Sequence, residues 1–574
     1  MTNSDSAKND RSLRGADNPY AAISVVIAVM AVVLALSFRA YAPPAPLPAD
    51  APPQRFSAGR AEAILESLLG DGIPHPAGSE QNRKVRQRAV AMLESFGYEV
   101  QLQATSKQVD GAADAIPLTN IMAVLPGSEG GPAVMLASHF DSKPQSPGAA
   151  DAGAGAAAVL EIARMLKLEG GFKRDVVFLL TDGEEFGMLG AERFVAEHPL
   201  AKTIGVVINL EARGTSGPSL MFETSEHSAW LIAQFSRSSR KPITSSLFYE
   251  IYKRLPNNTD FTLFKNAGMQ GFNFAFIGNV KNYHQPTDNL QNLERGSLQH
   301  QGDNALGLVR ALGNLDIGAQ TGGKAVYFDV FGQFVVSWPP TASALFSLAA
   351  LAFLVIRSPA LTGTSIKNNL AWPNLGPALG LLLRSTLALL ATGLIIDAGF
   401  RYQGFYEPAW IASAFAGELL YWLMALTIAS CCCLLATKRT LDPDRVWLVA
   451  WASWAMLTVL VSFSIAGASY LFVVPLLVAC MATMARRGPA PKRLASGFFF
   501  VAPAVAVAVL WLPLERLFYD AVGFRMGGFL IIRMAIVMLA LLPVLCITGR
   551  DTLKRLSAVG GVGTVICIVI TVLV

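Results

Sequence analysis

The stretch DVVFLLTDGEEFGMLGAERF, Asp175 to Phe194, changes period in its middle. Val176–Leu180 is an unbroken apolar run, the pattern of a strand buried on both faces. The segment 187–198 reads as a helix. Between them stand Asp182, Glu184 and Glu185, three carboxylates in four residues. The same grammar recurs on both sides. PAVMLASHFD (132–141) predicts a strand, DAGAGAAAVLEIARML (151–166) an amphipathic helix and IGVVINLEARG (204–214) another strand. Apolar strands alternating with helices predict an α/β sheet covered on both faces. Ligands of such sheets sit beyond the carboxyl ends of the strands. Three of these strands end in polar clusters: SHFD, TDGEE and NLE.

Outward from this segment the composition shifts. Of 574 residues, 52% are hydrophobic and only 15% charged, which calls for a large membrane portion. Residues 1–20 are polar and read as a cytoplasmic tail. Residues 21–42 read as an N-terminal transmembrane anchor. AYA at 40–42 mimics a signal-peptidase site, but Pro43 and Pro44 follow at once and should block cleavage. The Pro-rich 43–54 predicts a stiff spacer. Residues 55–325 have globular composition, and 335–574 holds about eight apolar stretches, each long enough to cross a hydrocarbon core of about 30 Å.

With the N-terminus inside, the inner segments carry Lys8, Arg11, Arg14, Arg357, Lys367, Lys438, Arg439, Arg445, Arg486, Arg487, Lys492, Arg493, Arg550, Lys554 and Arg555. The short outer loops carry Arg401, Arg516 and Arg525. This asymmetry predicts nine spans, with the globular domain on the outer or lumenal side. All 6 cysteines fall in the membrane half, and Cys431–Cys433 read as apolar filler. An Ala-rich chain without cysteines in its globular domain points to a bacterial inner membrane, with that domain in the periplasm. No basic stripe interleaved with aromatics is present, which excludes nucleic acid as a partner. No signature of a particular oligomeric state stands out.

Taken singly, each polar residue at the strand ends has an ordinary reading. Asp151 could cap a helix, the Glu pair could be a solvated turn, and Glu211 could serve an ion pair. Together they form an inventory of two imidazoles and three carboxylates: His139, Asp151, Glu185, Glu211 and His284. That set suits two zinc ions sharing one carboxylate.

In order, HFD, DAGAG, DGEEFGMLGA, NLE and YHQPTDN resemble the co-catalytic zinc exopeptidases, which include secreted bacterial aminopeptidases and glutamate carboxypeptidase. GIPHPAGSEQN (72–82) also fits. With nine spans the layout resembles the endoplasmic-reticulum metallopeptidase branch of that family. The resemblance implies a mixed β-sheet flanked by helices on both faces, plus an α-helical multi-span membrane domain. It implies that Asp151 bridges two Zn2+, that His139 and Glu211 complete one site, and that Glu185 and His284 complete the other. Asp141 would orient His139 through its far ring nitrogen. Glu184 would be the general base, because adjacent side chains point in different directions and Glu185 is spent on metal. Tyr283 would donate to the oxyanion or simply pack. Asp182 would support the ligands from behind or form the turn.

The implied function is membrane-anchored hydrolysis of peptide substrates, of aminopeptidase type. Two other classes share these features. One is a glutaminyl-cyclase-like acyltransferase with a single zinc. The other is a binding or transport protein, to which Arg384, Glu418 and Arg533 inside the spans would belong.

Overall fold

The central strand runs become strands because they are largely apolar, with β-branched Val176, Val177, Val206, Val207 and Ile208 among them. The computed structural model describes residues 21–107, 115–226, 228–317, 322–361, 375–402, 414–436, 442–486, 492–522 and 527–573. The tail at 1–20 and Lys367, Lys438, Arg439, Arg487 and Arg525 lie outside these residues. The chain divides into two units, one of residues 37–342 with 465–470 and one of the remainder.

The first unit is built on a seven-stranded sheet. Its strands are β1 (Val100–Lys107), β2 (Ile116–Leu125), β3 (Ala133–His139), β4 (Val176–Thr181), β5 (Ile204–Ala212), β6 (Leu220–Thr224) and β7 (Gln270–Phe276), in spatial order β1-β2-β4-β3-β5-β7-β6. β4, β3, β5 and β7 are parallel, and β1, β2 and β6 pair antiparallel at the flanks. From β3 the chain crosses to β4 on one side, then returns to β5 on the other. That reversal opens a crevice at the carboxyl end of β3.

Side chains alternate between two cores. Val134, Leu136, Val176, Phe178, Val206 and Ile208 face one core, shared with the helices at Ala58–Leu69, Gly155–Glu169 and Arg295–Leu312. Met135, Ala137, Val177, Leu179 and Val207 face the other, with Phe194, Phe261 and Phe264. The expected mixed sheet with helices on both faces is what the chain forms. Gly155 shows how tightly the Ala/Gly-rich helix seats on the sheet. A Cβ there would press on the Leu210 carbonyl at 3.0 Å as well as on Ser138.

The Pro-rich stretch lies along this unit. Leu47 N donates to Gln299 Oε1 at 2.9 Å, and Ser57 Oγ donates to Pro48 O at 2.7 Å. Beyond residue 325 a hairpin of β8 (Val326–Val330) and β9 (Phe334–Trp338) belongs to the same unit. Buried Tyr327 N donates to Ser246 Oγ at 3.0 Å. Residues 334–338 are therefore strand, and the helix expected from 335 starts at Pro340.

The second unit is helical. Among the described residues, six helices are long and apolar enough to cross a membrane, at Pro340–Pro359, Gly376–Tyr402, Ala416–Ala436, Pro443–Ser464, Gly497–Leu514 and Arg550–Ile570. Shorter apolar helices lie at Ala28–Tyr41, Tyr470–Ala485 and Leu530–Cys546. This is the composition of a multi-pass membrane protein. Within it Arg533 is buried, with its guanidinium 5.7 Å from the Phe518 ring centre, a packing that lowers the cost of a charge among apolar helices.

Candidate metal centre

His139 is the last residue of β3, level with Thr181 of β4. Its Nδ1 donates to the Asp141 carbonyl at 3.1 Å and lies 3.4 Å from Asp141 Oδ1. With Nδ1 carrying the proton, Nε2 keeps its lone pair for a ligand. Nε2 lies 3.4 Å from Asp151 Oδ1 and 3.5 Å from Glu211 Oε2.

Asp151 does not cap the following helix, whose N-cap is Ala154. It sits in the irregular turn Ala149–Ala154 with φ −106° and ψ 96°, and its bond to Ala152 is cis. Asp288 grips this turn, accepting the N–H of Ala150 at 2.8 Å and of Asp151 at 3.2 Å. Asp288 belongs to the HQPTDNL motif that also carries His284. One segment thus supplies a candidate ligand and holds another.

β4 stops at Thr181, so Glu184 and Glu185 lie past the strand, in a 3-10 turn at Glu184–Phe186. Gly183 and Gly187 bracket it with φ of 75° and 105°, which side chains with a Cβ rarely adopt. Asp141 fastens the turn, accepting Glu184 N–H on Oδ1 at 3.0 Å and Glu185 N–H on Oδ2 at 3.2 Å. Glu185 Oε1 is 3.2 Å from His284 Nε2, and its Oε2 is 2.9 Å from Lys143 Nζ. His284 Nε2 lies 3.1 Å from Asp151 Oδ2. The Tyr283 ring stacks on that of His284 at 3.7 Å.

Two groups therefore share Asp151: His139, Asp151 and Glu211, and Asp151, Glu185 and His284. Their ligand atoms lie within 4.8 Å of one another in each group. The first group is fully buried and the second partly so. The donor set fits zinc, for imidazole nitrogen and carboxylate oxygen are its usual partners. Glu185 Oε1 and His284 Nε2 are buried without a hydrogen bond among the described residues. Buried polar atoms facing each other in this way are what a cation between them would satisfy.

The electrostatics agree. Burial opposes it, yet the carboxylates of Asp141, Asp151 and Glu211 hold the His139 pKa well above its ordinary value. His284, again against burial, is pushed up to about 9 by Asp151 and Glu185. Asp151, against burial, is drawn down to about 2 by the two histidines. These shifts report a strong negative potential that favours positive charge at the ring nitrogens, the position a divalent cation would take. Burial pushes Glu184 well above the carboxylate range, with Glu211, Asp260 and Glu185 adding to it and His139 opposing.

Asp182 turns its carboxylate to Asn82 Nδ2 at 3.0 Å and Thr119 N at 2.9 Å, tying β2 and the helix at Glu80–Ser95 to the end of β4. Several neighbours of the site were not singled out from the sequence. Asp288 and Lys143 are two. Asp260 is a third: its Oδ2 accepts Thr181 Oγ1 at 2.5 Å, and burial followed by the Glu211 charge lifts it to about 7. Asn209, whose Nδ2 donates to Glu211 Oε1 at 3.0 Å, is a fourth. Its signal was an amide inside an apolar strand, two residues before a candidate ligand.

Residues 120–309 match Peptidase family M28. Endoplasmic reticulum metallopeptidase 1 of Homo sapiens is 30% identical over 325 residues, covering 52% of this chain and 36% of that protein. Vacuolar membrane protease of Candida albicans (strain SC5314) is 30% identical over 308 residues, covering 52% of this chain and 36% of the relative. The chain thus spans about a third of the length of the curated relatives it matches. Among solved structures, the aminopeptidase from Aneurinibacillus sp. strain AM-1 is similar at TM-score 0.39 and 14% identity, covering 45% of this chain and 94% of that one. Porphyromonas gingivalis glutaminyl cyclase is similar at TM-score 0.38 and 21% identity, covering 44% and 98%.

Proposed function

With a Peptidase family M28 domain as the premise, we propose that this protein is a membrane-anchored zinc exopeptidase of aminopeptidase type. It would hold two Zn2+, one at His139, Asp151 and Glu211 and one at Asp151, Glu185 and His284. The observation that carries this is the Asp151 carboxylate, with Oδ1 3.4 Å from one imidazole and Oδ2 3.1 Å from the other. A single buried carboxylate facing two separate imidazole–carboxylate pairs is the arrangement of a shared ligand.

Bound zinc supplies Lewis acidity towards the scissile carbonyl and lowers the pKa of water. The rest falls to the chain. Asp141 orients His139 and fixes the turn that presents Glu184. Glu184 takes a proton from the attacking water and returns it to the leaving amine. Divalent charge nearby would draw its raised pKa back towards neutrality, where both transfers are possible. Tyr283, whose ring packs on His284, would hydrogen-bond a developing oxyanion. The apolar helices keep the domain at the bilayer. The charges towards the helix ends, Arg357, Arg445, Arg486, Arg550, Lys554 and Arg555, support a periplasmic position for it in a bacterial inner membrane.

The test is a digest of an unbiased peptide library with zinc-loaded protein. Stepwise loss of N-terminal residues is expected. Ammonia release from N-terminal glutamine without chain cleavage would show a cyclase instead.

A further inference from the structure

A row of polar side chains crosses β5, β7 and β6. Asn209 is the register partner of Asn273, and Asn273 of Glu223. Their side chains bond in series. Asn209 Nδ2 donates to Glu211 Oε1 at 3.0 Å and to Asn273 Oδ1 at 3.1 Å. Asn273 Nδ2 donates to Glu223 Oε2 at 3.0 Å and to Thr259 Oγ1 at 2.8 Å. Lys265 Nζ closes the row on Glu223 Oε1 at 2.6 Å.

Asn209 and Asn273 are 0% exposed and Glu223 1%. Asparagine is a poor strand residue, and a buried polar row is costly unless its members satisfy one another. Apolar side chains would pack these positions at lower cost, so the row asks for a reason. Its direction suggests one. Turning the Asn209 amide over would set its oxygen against the Glu211 carboxylate, and turning Asn273 would set its oxygen against Glu223. Asn209 Oδ1 has no hydrogen bond among the described residues, so this side chain serves Glu211 and Asn273 alone.

We infer that Asn209 and Asn273 are positioning residues for Glu211, anchored at the far end by the Glu223–Lys265 pair. A free glutamate side chain has three rotatable bonds to fix before it can ligate. The Asn209 bond removes that freedom at Oε1 and leaves Oε2 facing His139 Nε2 at 3.5 Å. The inference rests on the reading of Glu211 as a metal ligand.

The test is a zinc titration of the full-length protein in detergent against a competing chelator, beside melting of the metal-free form. Wild type is expected to take up two zinc equivalents. Asn273→Leu should weaken one equivalent by about 10–100-fold, the effect usual for groups behind a metal ligand, and leave the other unchanged. Lys265→Met, at a partly exposed position, should weaken the same equivalent by less than ~10-fold. Two equivalents of wild-type affinity in Asn273→Leu would overturn the inference, as would equal weakening of both. If Asn273→Leu does not fold, Lys265→Met decides, and an unchanged affinity there counts against the row. A wild-type protein that takes up no zinc would instead overturn the metal reading itself.

Discussion

Asp141 holds Glu184 in place through the backbone: its Oδ1 accepts the Glu184 N–H at 3.0 Å. The same carboxylate binds Glu185 N–H and approaches His139 Nδ1 at 3.4 Å. The proposed base, one proposed metal ligand and the orientation of another thus depend on one side chain. Asp141→Ala should lower zinc affinity by about 10–100-fold and reduce turnover at saturating zinc as well. Asp141→Asn, which keeps one acceptor oxygen, should fall between. Zinc titration followed by rate measurement on refilled protein checks both. Wild-type turnover in zinc-saturated Asp141→Ala would deny it a role in placing Glu184.

Asp288 does for Asp151 what Asp141 does for Glu184. Its carboxylate takes the N–H groups of Ala150 and Asp151 at 2.8 and 3.2 Å. Asp288→Leu should leave two buried donors unmet, at a cost of about 1–3 kcal/mol each. It should also loosen both proposed zinc sites at once, because Asp151 is the candidate ligand common to both. Loss of a single equivalent would argue against a shared carboxylate.

His300 gives the domain an acid limit that is independent of the metal. Its Nδ1 accepts Ser219 N–H at 3.0 Å, and its Nε2 donates to Lys241 O at 2.8 Å. Only the neutral ring can do both. Burial lowers its pKa from 6.5 to about 4. The unfolded chain therefore takes up a proton below pH 6.5 that the folded domain refuses down to about pH 4. Stability is full above pH 6.5 and falls between those values, by at most about 3.5 kcal/mol at ~1.4 kcal/mol per unit. Denaturant unfolding of the metal-free protein at pH 7 and pH 4.5 reads this loss. In His300→Gln, which can accept and donate at the same points without titrating, this part of the slope should vanish.

All five proposed ligands and the base come from residues 139–284, within the unit of residues 37–342 and 465–470. A fragment of residues 37–342 should bind zinc and cleave small peptides without the spans. A fragment of residues 55–325 should melt lower. It lacks Tyr327, which bonds Ser246, and Leu47, which bonds Gln299. Metal content, melting and turnover of the two fragments test this. A folded, zinc-loaded 37–342 fragment without activity, beside an active full-length protein, would assign part of the site to the membrane half.

The central strands were legible because β3, β4 and β5 are buried on both faces and so read as apolar runs. The ends of those runs were less legible. Gly183 and Gly187 release Glu184 and Glu185 from the strand into a 3-10 turn, and no periodicity marks that turn. Asp151 reads as a helix start, but the helix begins at Gly155 because the preceding turn is held by Asp288, 137 residues away. Asn209 and Asn273, 64 residues apart, meet only through the pairing of β5 with β7. Contacts of this kind depend on register, which a single sequence does not display. What it did display was each amide breaking an apolar strand. The helix start at Pro340 was missed because Phe334–Trp338 is as apolar as a span, and only the hairpin with β8 makes it strand.

The assignment of adjacent glutamates to different tasks is the centre of this account, and a paired measurement on two variants tests it. Zinc content and peptide turnover are to be measured on Glu184→Gln and Glu185→Gln of the full-length protein. The account predicts that Glu184→Gln keeps both zinc equivalents and loses turnover by at least about 10²–10⁴-fold, the scale of general-base catalysis, while Glu185→Gln loses affinity for one equivalent. A Glu184→Gln protein emptied of zinc beside a fully loaded Glu185→Gln, or one that keeps both its zinc and its turnover, would contradict it.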